Sequence, residues 1–544
     1  LIRQAAKFSE SGKNDEMVQE TFDFDYIIIG SGFGGSVSAL RLSEKGYKVL
    51  VLEKGRWFRR PDDFARSNWN LFKWMWAPRL GMRGIFRLSF FRHVAVLSGA
   101  GVGGGSLVYA NTLPIPPASF FNSGSWANMA DWEQELSPYY AKAKQMLGAA
   151  RHPYMSRSDK VMQQLAEGMG KAEAFEKTEV AVYFGKLGET VPDPYFGGRG
   201  PDRTGCNLCG GCMLGCRFNA KNTLDKNYLH LAMQEGCEIR AETEVYDVLP
   251  LGTDGGSGYV VKFKEGLSGF RRKGQLRTRK IIFAAGVLGT LSLLLRLKKR
   301  SLPHLSDALG KGVRTNSESL IGVTSFDKKA VFSEGIAIGS IVQVDENRHL
   351  EPVKYSAGSG FWRIFMAPMV QGHSFLSRLG KMGMDWFCHP IDNFRAFFVD
   401  DWSKRTQILL YMESIESTLR MVRSRFGWLK TEVEEGTAPT AFNPVAQSLA
   451  QQVAQLIDGK PMVMNSETLL GIPTTAHILG GACMGENAQT GVIDAQNRVF
   501  NYQNMLICDG SMISANIGVN PSLTITALTE RAMDFIPPAH TVAS

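Results

Sequence analysis

The stretch Tyr26–Glu53, YIIIGSGFGGSVSALRLSEKGYKVLVLE, carries the strongest structural signal in the chain. Its apolar run, Tyr26 to Ile29, predicts a short buried strand. Gly30, Gly32 and Gly35 follow in G-x-G-x-x-G spacing, with Gly34 beside them. Ser36 to Glu44 has helical character, Gly46 stops it, and Lys48 to Glu53 predicts a second strand ending on an acid. This is a βαβ unit of about 30 residues. In such a unit the first glycine permits the tight turn. The second lets backbone approach a pyrophosphate, and the third lets helix pack on strand. The helix N-terminus turns free N–H groups toward phosphate charge. Glu53 stands where an acid bonds adenosine ribose hydroxyls.

Outward from this unit, further segments suit a long, flat cofactor. Gly99, Gly101, Gly103, Gly104 and Gly105 form a second glycine cluster, running through Ser106 to Asn111. Backbone without side chains allows close approach. A strand from Lys280 to Ala285 leads into Gly286 and an apolar helix. Another strand, Met505 to Cys508, ends in Asp509-Gly510, upstream of Asn520-Pro521. The candidate cofactor contacts are Gly30, Gly32, Gly34, Gly35, Glu53, Gly103, Gly104, Ser106, Asn111, Val245, Ala285, Gly286, Asp509, Gly510, Asn520 and Pro521. Contacts spread over three distant segments fit FAD better than NAD.

Four stretches resemble the glucose-methanol-choline (GMC) oxidoreductases, in particular their cholesterol-oxidase-like branch: Ile27–Gly35, Gly99–Asn111, Ala284–Leu295 and Thr475–Leu528. The last, with AHILGGACMG and LICDGSMISANIGVNPSLTITALTERAMDF, is the most specific; Ser514-Ala515 stands where relatives often have Pro-Gly. The resemblance implies an α/β fold, with a Rossmann-like FAD-binding domain interleaved with an α+β substrate domain whose mostly antiparallel sheet roofs the flavin. The expected cofactor domain comprises 22–57, 94–115, 204–325 and 470–538. The expected substrate domain comprises 58–93, 116–203 and 326–469, and 1–21 is a polar tail. The resemblance implies alcohol oxidation by hydride transfer to flavin N5, with His477 as the active-site histidine and Asn520 as its partner. A histidine titrating near neutrality suits a proton acceptor, and the Asn520 amide can both donate and accept hydrogen bonds. Some relatives attach FAD through a histidine just after the second glycine cluster. Positions 106–112 contain none and His93 precedes it, so non-covalent FAD is expected.

Cys206-x2-Cys209-x2-Cys212-x3-Cys216 has ferredoxin spacing, although Arg217 replaces the usual proline. An iron–sulfur cluster, structural thiols or disulfides, and zinc are the competing readings. Zinc fits least, because it usually takes two separated cysteine pairs. A cluster would relay electrons to an acceptor protein or quinone. Without one, dioxygen could reoxidise the flavin directly. An electron-transfer flavo-iron-sulfur component is therefore the alternative to an alcohol oxidoreductase.

The composition of the 544 residues, 44% hydrophobic and 21% charged, excludes pervasive disorder. The net charge of +9 is mild, and no nucleic-acid-binding signature accompanies it. No apolar run reaches the ~18 residues of a membrane span. Residues 1–20 contain no secretory apolar region, so a cytoplasmic or membrane-peripheral protein is expected, with a removed leader left open. Residues 57–93 and 361–398 are rich in aromatic, Met and Arg residues. These suit a bulky apolar substrate or a membrane interface. A sterol or 3-hydroxysteroid is the first expectation, followed by a long-chain or terpenoid alcohol. Some sterol oxidases also shift a double bond. The carboxylate base for that step is not placed; Glu413, near a strand end, is one candidate.

Overall fold

The computed structural model of the chain describes residues 21–372, 374–415 and 417–539. The tail expected at its start lies almost wholly outside them. Strand Phe24–Ile29 is the centre of a seven-stranded sheet. It pairs in parallel with Val49–Leu52 on one side and Arg272–Phe283 on the other, setting Ile28 against Val51 and Ile282. Both faces are covered, which is why the run is continuously apolar rather than alternating. Glu238–Arg240 extends one edge in parallel. Strand Arg272–Phe283 changes partner along its length. Its first part pairs antiparallel with Tyr259–Glu265, which continues into Thr243–Pro250, and its last residues pair in parallel with Met505–Ile507.

Helix Phe33–Glu44 crosses from the first strand to the second, almost entirely buried. Its approach depends on missing side chains. A Cβ at Gly34 would lie 1.7 Å from the Cys508 carbonyl oxygen, and one at Gly35 2.1 Å from that of Gly30. Gly30 itself has φ +103°, a conformation that L side chains rarely adopt.

The second large sheet runs Met366–Pro368, Gly459–Met464, Ser319–Ser325, Thr406–Glu413, Arg348–Val353, Ser340–Asp345, Phe175–Lys177, with every pairing antiparallel. Strand Ser319–Ser325, assigned from sequence to the cofactor part, lies in this sheet. Alternation sorts its side chains. Ile321 and Val323 enter a core shared with helices Arg157–Gly168 and Pro444–Leu456. Leu320 points the other way, into the large cavity described below.

A buried carboxylate ties the first layer together. Glu530, on helix Ser522–Asp534, is fully buried. It accepts hydrogen bonds from Arg41 (2.7 and 2.8 Å) and Tyr228 (2.7 Å), and Lys142 lies 2.9 Å away. Burial alone would raise its pKa, but Arg41 and the other donors hold it below the usual carboxylate range. Removing one partner of such a group strands the others. Glu530→Ala is therefore expected to destabilise the fold by about 3 kcal/mol, read as a lower midpoint in urea unfolding. An unchanged midpoint would show that the cluster contributes nothing net.

Candidate active site

The glycine-rich turn, the second glycine cluster and one face of the antiparallel sheet enclose a cavity of about 660 Å³. This is the usual size for a cofactor or ligand site. Gly30, Gly32, Gly34, Glu53, Gly104, Val245, Ala285, Gly286, Asp509, Gly510, His477, Asn520 and Pro521 all line it. A Cβ on Gly286 would meet nothing within 4 Å, and one on Gly32 only the Ala284 carbonyl oxygen at 4.0 Å. Side chains there would project into the space these backbones leave open.

Gly35, Gly103, Ser106 and Asn111 stand behind the wall. Gly35 packs helix on strand. Gly103 donates its N–H to Ser31 Oγ (3.2 Å), while Ser106 Oγ donates to the Gly103 carbonyl (2.7 Å) and accepts the Leu224 N–H (3.1 Å). These two residues brace the loop. Asn111 is fully buried at φ +72°, its side chain beside Cys212. Glu53 is occupied by its own chain, accepting Ser31 N–H (3.1 Å), Ser31 Oγ (2.7 Å) and Gly55 N–H (2.7 Å). Asp509 accepts from Ser511 and Thr290, and burial raises its pKa.

His477 is held by a residue that sequence reasoning missed. Its Nδ1 lies 2.7 Å from Glu318 Oε1, across 159 residues of chain. Glu318 is buried and also accepts the Thr475 hydroxyl (2.7 Å) and the Ala476 N–H (2.8 Å). Burial disfavours a charged imidazole, but the Glu318 carboxylate outweighs it and raises the His477 pKa. Glu318 is correspondingly held low, against its own burial, by His477 and these donors. Such a carboxylate fixes the ring's orientation and tautomer, leaving Nε2 for the cavity. The amide of Asn520 is near, and its Oδ1 is buried without a partner.

A second missed carboxyl stands on the roof. Glu351, in strand Arg348–Val353, is fully buried beside the Asn520 side chain. Burial pushes its pKa up to about 8. His349 Nε2 lies 3.7 Å away, and burial pushes that imidazole down to about 4, so the pair is neutral. Glu413 is different. It accepts Arg348 Nε (2.6 Å) and Asn443 Nδ2 (2.8 Å), and its carboxylate is already engaged away from the cavity wall. A lone glutamate at a strand end gives no sign in the sequence of whether a cation awaits it.

The apolar lining also departs from expectation. Phe86 and Phe91 reach the cavity, as do Met213, Leu320, Ile338, Val353, Leu410 and Trp428. No described residue of 361–398 does. That segment forms helices Phe375–Cys388 and Pro390–Phe397, which expose Leu376, Phe387 and Ile391 at 76%, 83% and 71%. His93 does not line the cavity either; its Nδ1 lies 2.9 Å from Thr431 Oγ1. No helix among the described residues is long and apolar enough to cross a membrane. The four clustered cysteines surround a separate small void and are unbridged.

Comparison with known proteins agrees with this architecture. Residues 28–58 match an NAD(P)-binding Rossmann-like domain, and 199–299 and 409–529 match the N- and C-terminal GMC oxidoreductase families. The chain is 44% identical to a cholesterol oxidase of Acinetobacter baumannii over 97% of its own length and 96% of that protein's. It is 41% identical to a cholesterol oxidase of Mycobacterium tuberculosis (strain ATCC 25618 / H37Rv) over 95% and 91%. Its fold matches the crystal structure of pyridoxine 4-oxidase from Mesorbium loti with a TM-score of 0.60, at 13% identity, covering 94% of this chain and 99% of that one. With its glycine-lined α/β site and its near-full-length relatives, the chain belongs to the GMC oxidoreductase family and is an FAD-dependent alcohol oxidoreductase.

Proposed function

We propose that the chain oxidises the hydroxyl of a sterol-class alcohol in the 660 Å³ cavity, with non-covalently held FAD and with His477 as proton acceptor. The observation that carries this reading is the His477–Glu318 pair, which faces a cavity walled on one side by glycine backbone and on the other by apolar side chains. The names of the two similar proteins, both cholesterol oxidases, support the substrate class. The glycine-lined walls, the orphaned Asn520 Oδ1 and the N-terminus of helix Phe33–Glu44 fit FAD. When bound, FAD supplies the hydride acceptor.

The protein's own contribution is orientation and proton transfer. Neutral His477 Nε2 accepts the hydroxyl proton, and Glu318 stabilises the imidazolium that forms. Asn520 positions the hydroxyl. Leu320, Val353, Leu410 and Ile338 exclude water from the site. Electrons then leave to dioxygen or to an external acceptor. Glu351, beside Asn520, is our candidate base for a double-bond shift, acting in its ionised form, whereas Glu413 is bound to Arg348. The exposed Leu376, Phe387 and Ile391 lie on helices that also carry Lys381 and Arg395. This combination suits shallow insertion at a lipid surface, from which an insoluble substrate is drawn.

Anaerobic mixing with a sterol panel should bleach the flavin band, and His477→Ala should slow bleaching about 10²- to 10⁴-fold; a flavin that no alcohol reduces sinks the reading. Only neutral His477 accepts a proton, so the rate should rise with pH through a pKa above the ordinary imidazole value. Glu318→Gln removes the anion that raises this pKa. Its acid limb should shift to lower pH, with a slower maximum, and an unshifted limb would remove Glu318 from the proton chemistry.

Glu351→Gln should spare flavin reduction but stop conversion of an unconjugated to a conjugated enone, read as ultraviolet absorbance. Retained conversion would exclude Glu351 as base. Leu376→Ser with Phe387→Ser should cut co-sedimentation with phosphatidylcholine vesicles about 10-fold without slowing oxidation of detergent-dispersed sterol. Equal sedimentation of both proteins would argue against this docking face.

A further inference from the structure

The void ringed by Cys206, Cys209, Cys212 and Cys216 takes no part in alcohol oxidation as described above. Its chemistry is nonetheless specific. The four thiols wall one pocket, together with Lys221 and Arg217. Val180, Val182 and Ile336 pack around it. All four thiols are free. Among the described residues, no group of three or more Cys, His, Asp or Glu converges closely enough to hold a single metal ion. Zinc usually takes two separated cysteine pairs, whereas these four fall within eleven residues around one void.

Charge is the second observation. Lys221 is 1% exposed, and Asp225 is a nearby carboxylate that acts on both it and Arg203. The Lys221 ammonium donates to the carbonyls of Leu107 (3.0 Å), Tyr109 (2.9 Å) and Cys212 (2.9 Å). Arg203, also 1% exposed, donates to the Lys221 carbonyl (2.8 Å), and its Nε has no partner. Two cations buried beside four thiols favour negative charge among the sulfurs, because a buried charge is costly unless it is paired. The sulfurs, for their part, face N–H donors. Cys206 Sγ accepts the Leu208 N–H at 3.4 Å, and the N–H groups of Phe218, Ala220 and Lys221 face Cys216.

We propose that these four cysteines hold a four-iron, four-sulfide cluster. Four thiolates around a cube of two ferric and two ferrous irons and four sulfides give a dianion, and Lys221 and Arg203 stand beside it. The site is also placed for electron transfer. Cys212 adjoins Met213, which lines the large cavity, and Lys221 ties the cysteine loop to the Leu107–Tyr109 segment of that cavity's wall. At the other side of the loop, Asn207 and Phe218 are exposed. Resting on the FAD reading above, the cluster takes the two electrons of the reduced flavin one at a time, one ferric ion becoming ferrous on each occasion. It passes each to a one-electron acceptor protein at the Asn207–Phe218 surface, and the flavin's protons leave to solvent.

The test is iron and acid-labile sulfide analysis of the full chain, purified without oxygen, with flavin counted in parallel. About four of each per chain are expected, with an electron paramagnetic resonance signal appearing on dithionite reduction. Cys209→Ser and Cys216→Ser should lose most of the iron while retaining FAD. Flavin-replete enzyme lacking iron and sulfide even after anaerobic incubation with ferrous iron and sulfide would overturn the proposal, as would stoichiometric zinc. The wild-type analysis decides the matter should the variants fail to fold. A cluster-bearing protein whose flavin no alcohol reduces would refute the alcohol reading and leave the cluster in place.

Discussion

The architecture depends on how closely helix Phe33–Glu44 approaches the sheet. Gly34 admits the Cys508 carbonyl and Gly35 that of Gly30, at separations no side chain tolerates. The contact joins the first strand of the chain to the last, because Met505–Ile507 is added to the sheet through Arg272–Phe283. It therefore brings Asp509, Gly510 and Asn520 to the same cavity as Gly30 and Gly32. A single methyl at Gly34 would displace the segment that carries the second half of the site.

Three buried glutamates show how position divides labour among identical side chains. Glu318 is ionised because His477, Thr475 and Ala476 all turn donors toward it. Glu351 and Glu467 lack such partners on at least one oxygen, and burial pushes each up to about 8. One carboxylate anchors an imidazole, while neutral carboxyls nearby add no competing negative charge. Environments that push like groups apart are a recurring feature of sites that move protons.

The readable parts of the sequence were those where function constrains contiguous residues. A glycine triplet between two apolar strands, with an acid at the end of the second, fits few folds besides a dinucleotide-binding one, and His477 and Asn520 lie in a dense C-terminal pattern. Glu318 and Glu351 were not legible, since each acquires its role from groups far away in the chain. Residues 361–398 left two readings open, a pocket wall or a membrane interface, for another reason. Aromatic and Met content is the same for a pocket wall and for an amphipathic surface helix, and only the direction of the face distinguishes them. Ser106 and Gly103 were placed in the right loop, but the structure turns them to bracing it.

The sequence by itself determined the βαβ unit, the glycines on which it turns, the family resemblance and the spacing of the four cysteines, because these are local patterns written in backbone requirements. Only the tertiary structure decided which carboxylate meets His477, which glutamate stays neutral and which face of the roof lines the cavity. It alone placed Lys221 and Arg203 beside the four thiols. Those outcomes follow from burial and from contacts between segments over a hundred residues apart, and such contacts leave no local mark in the chain.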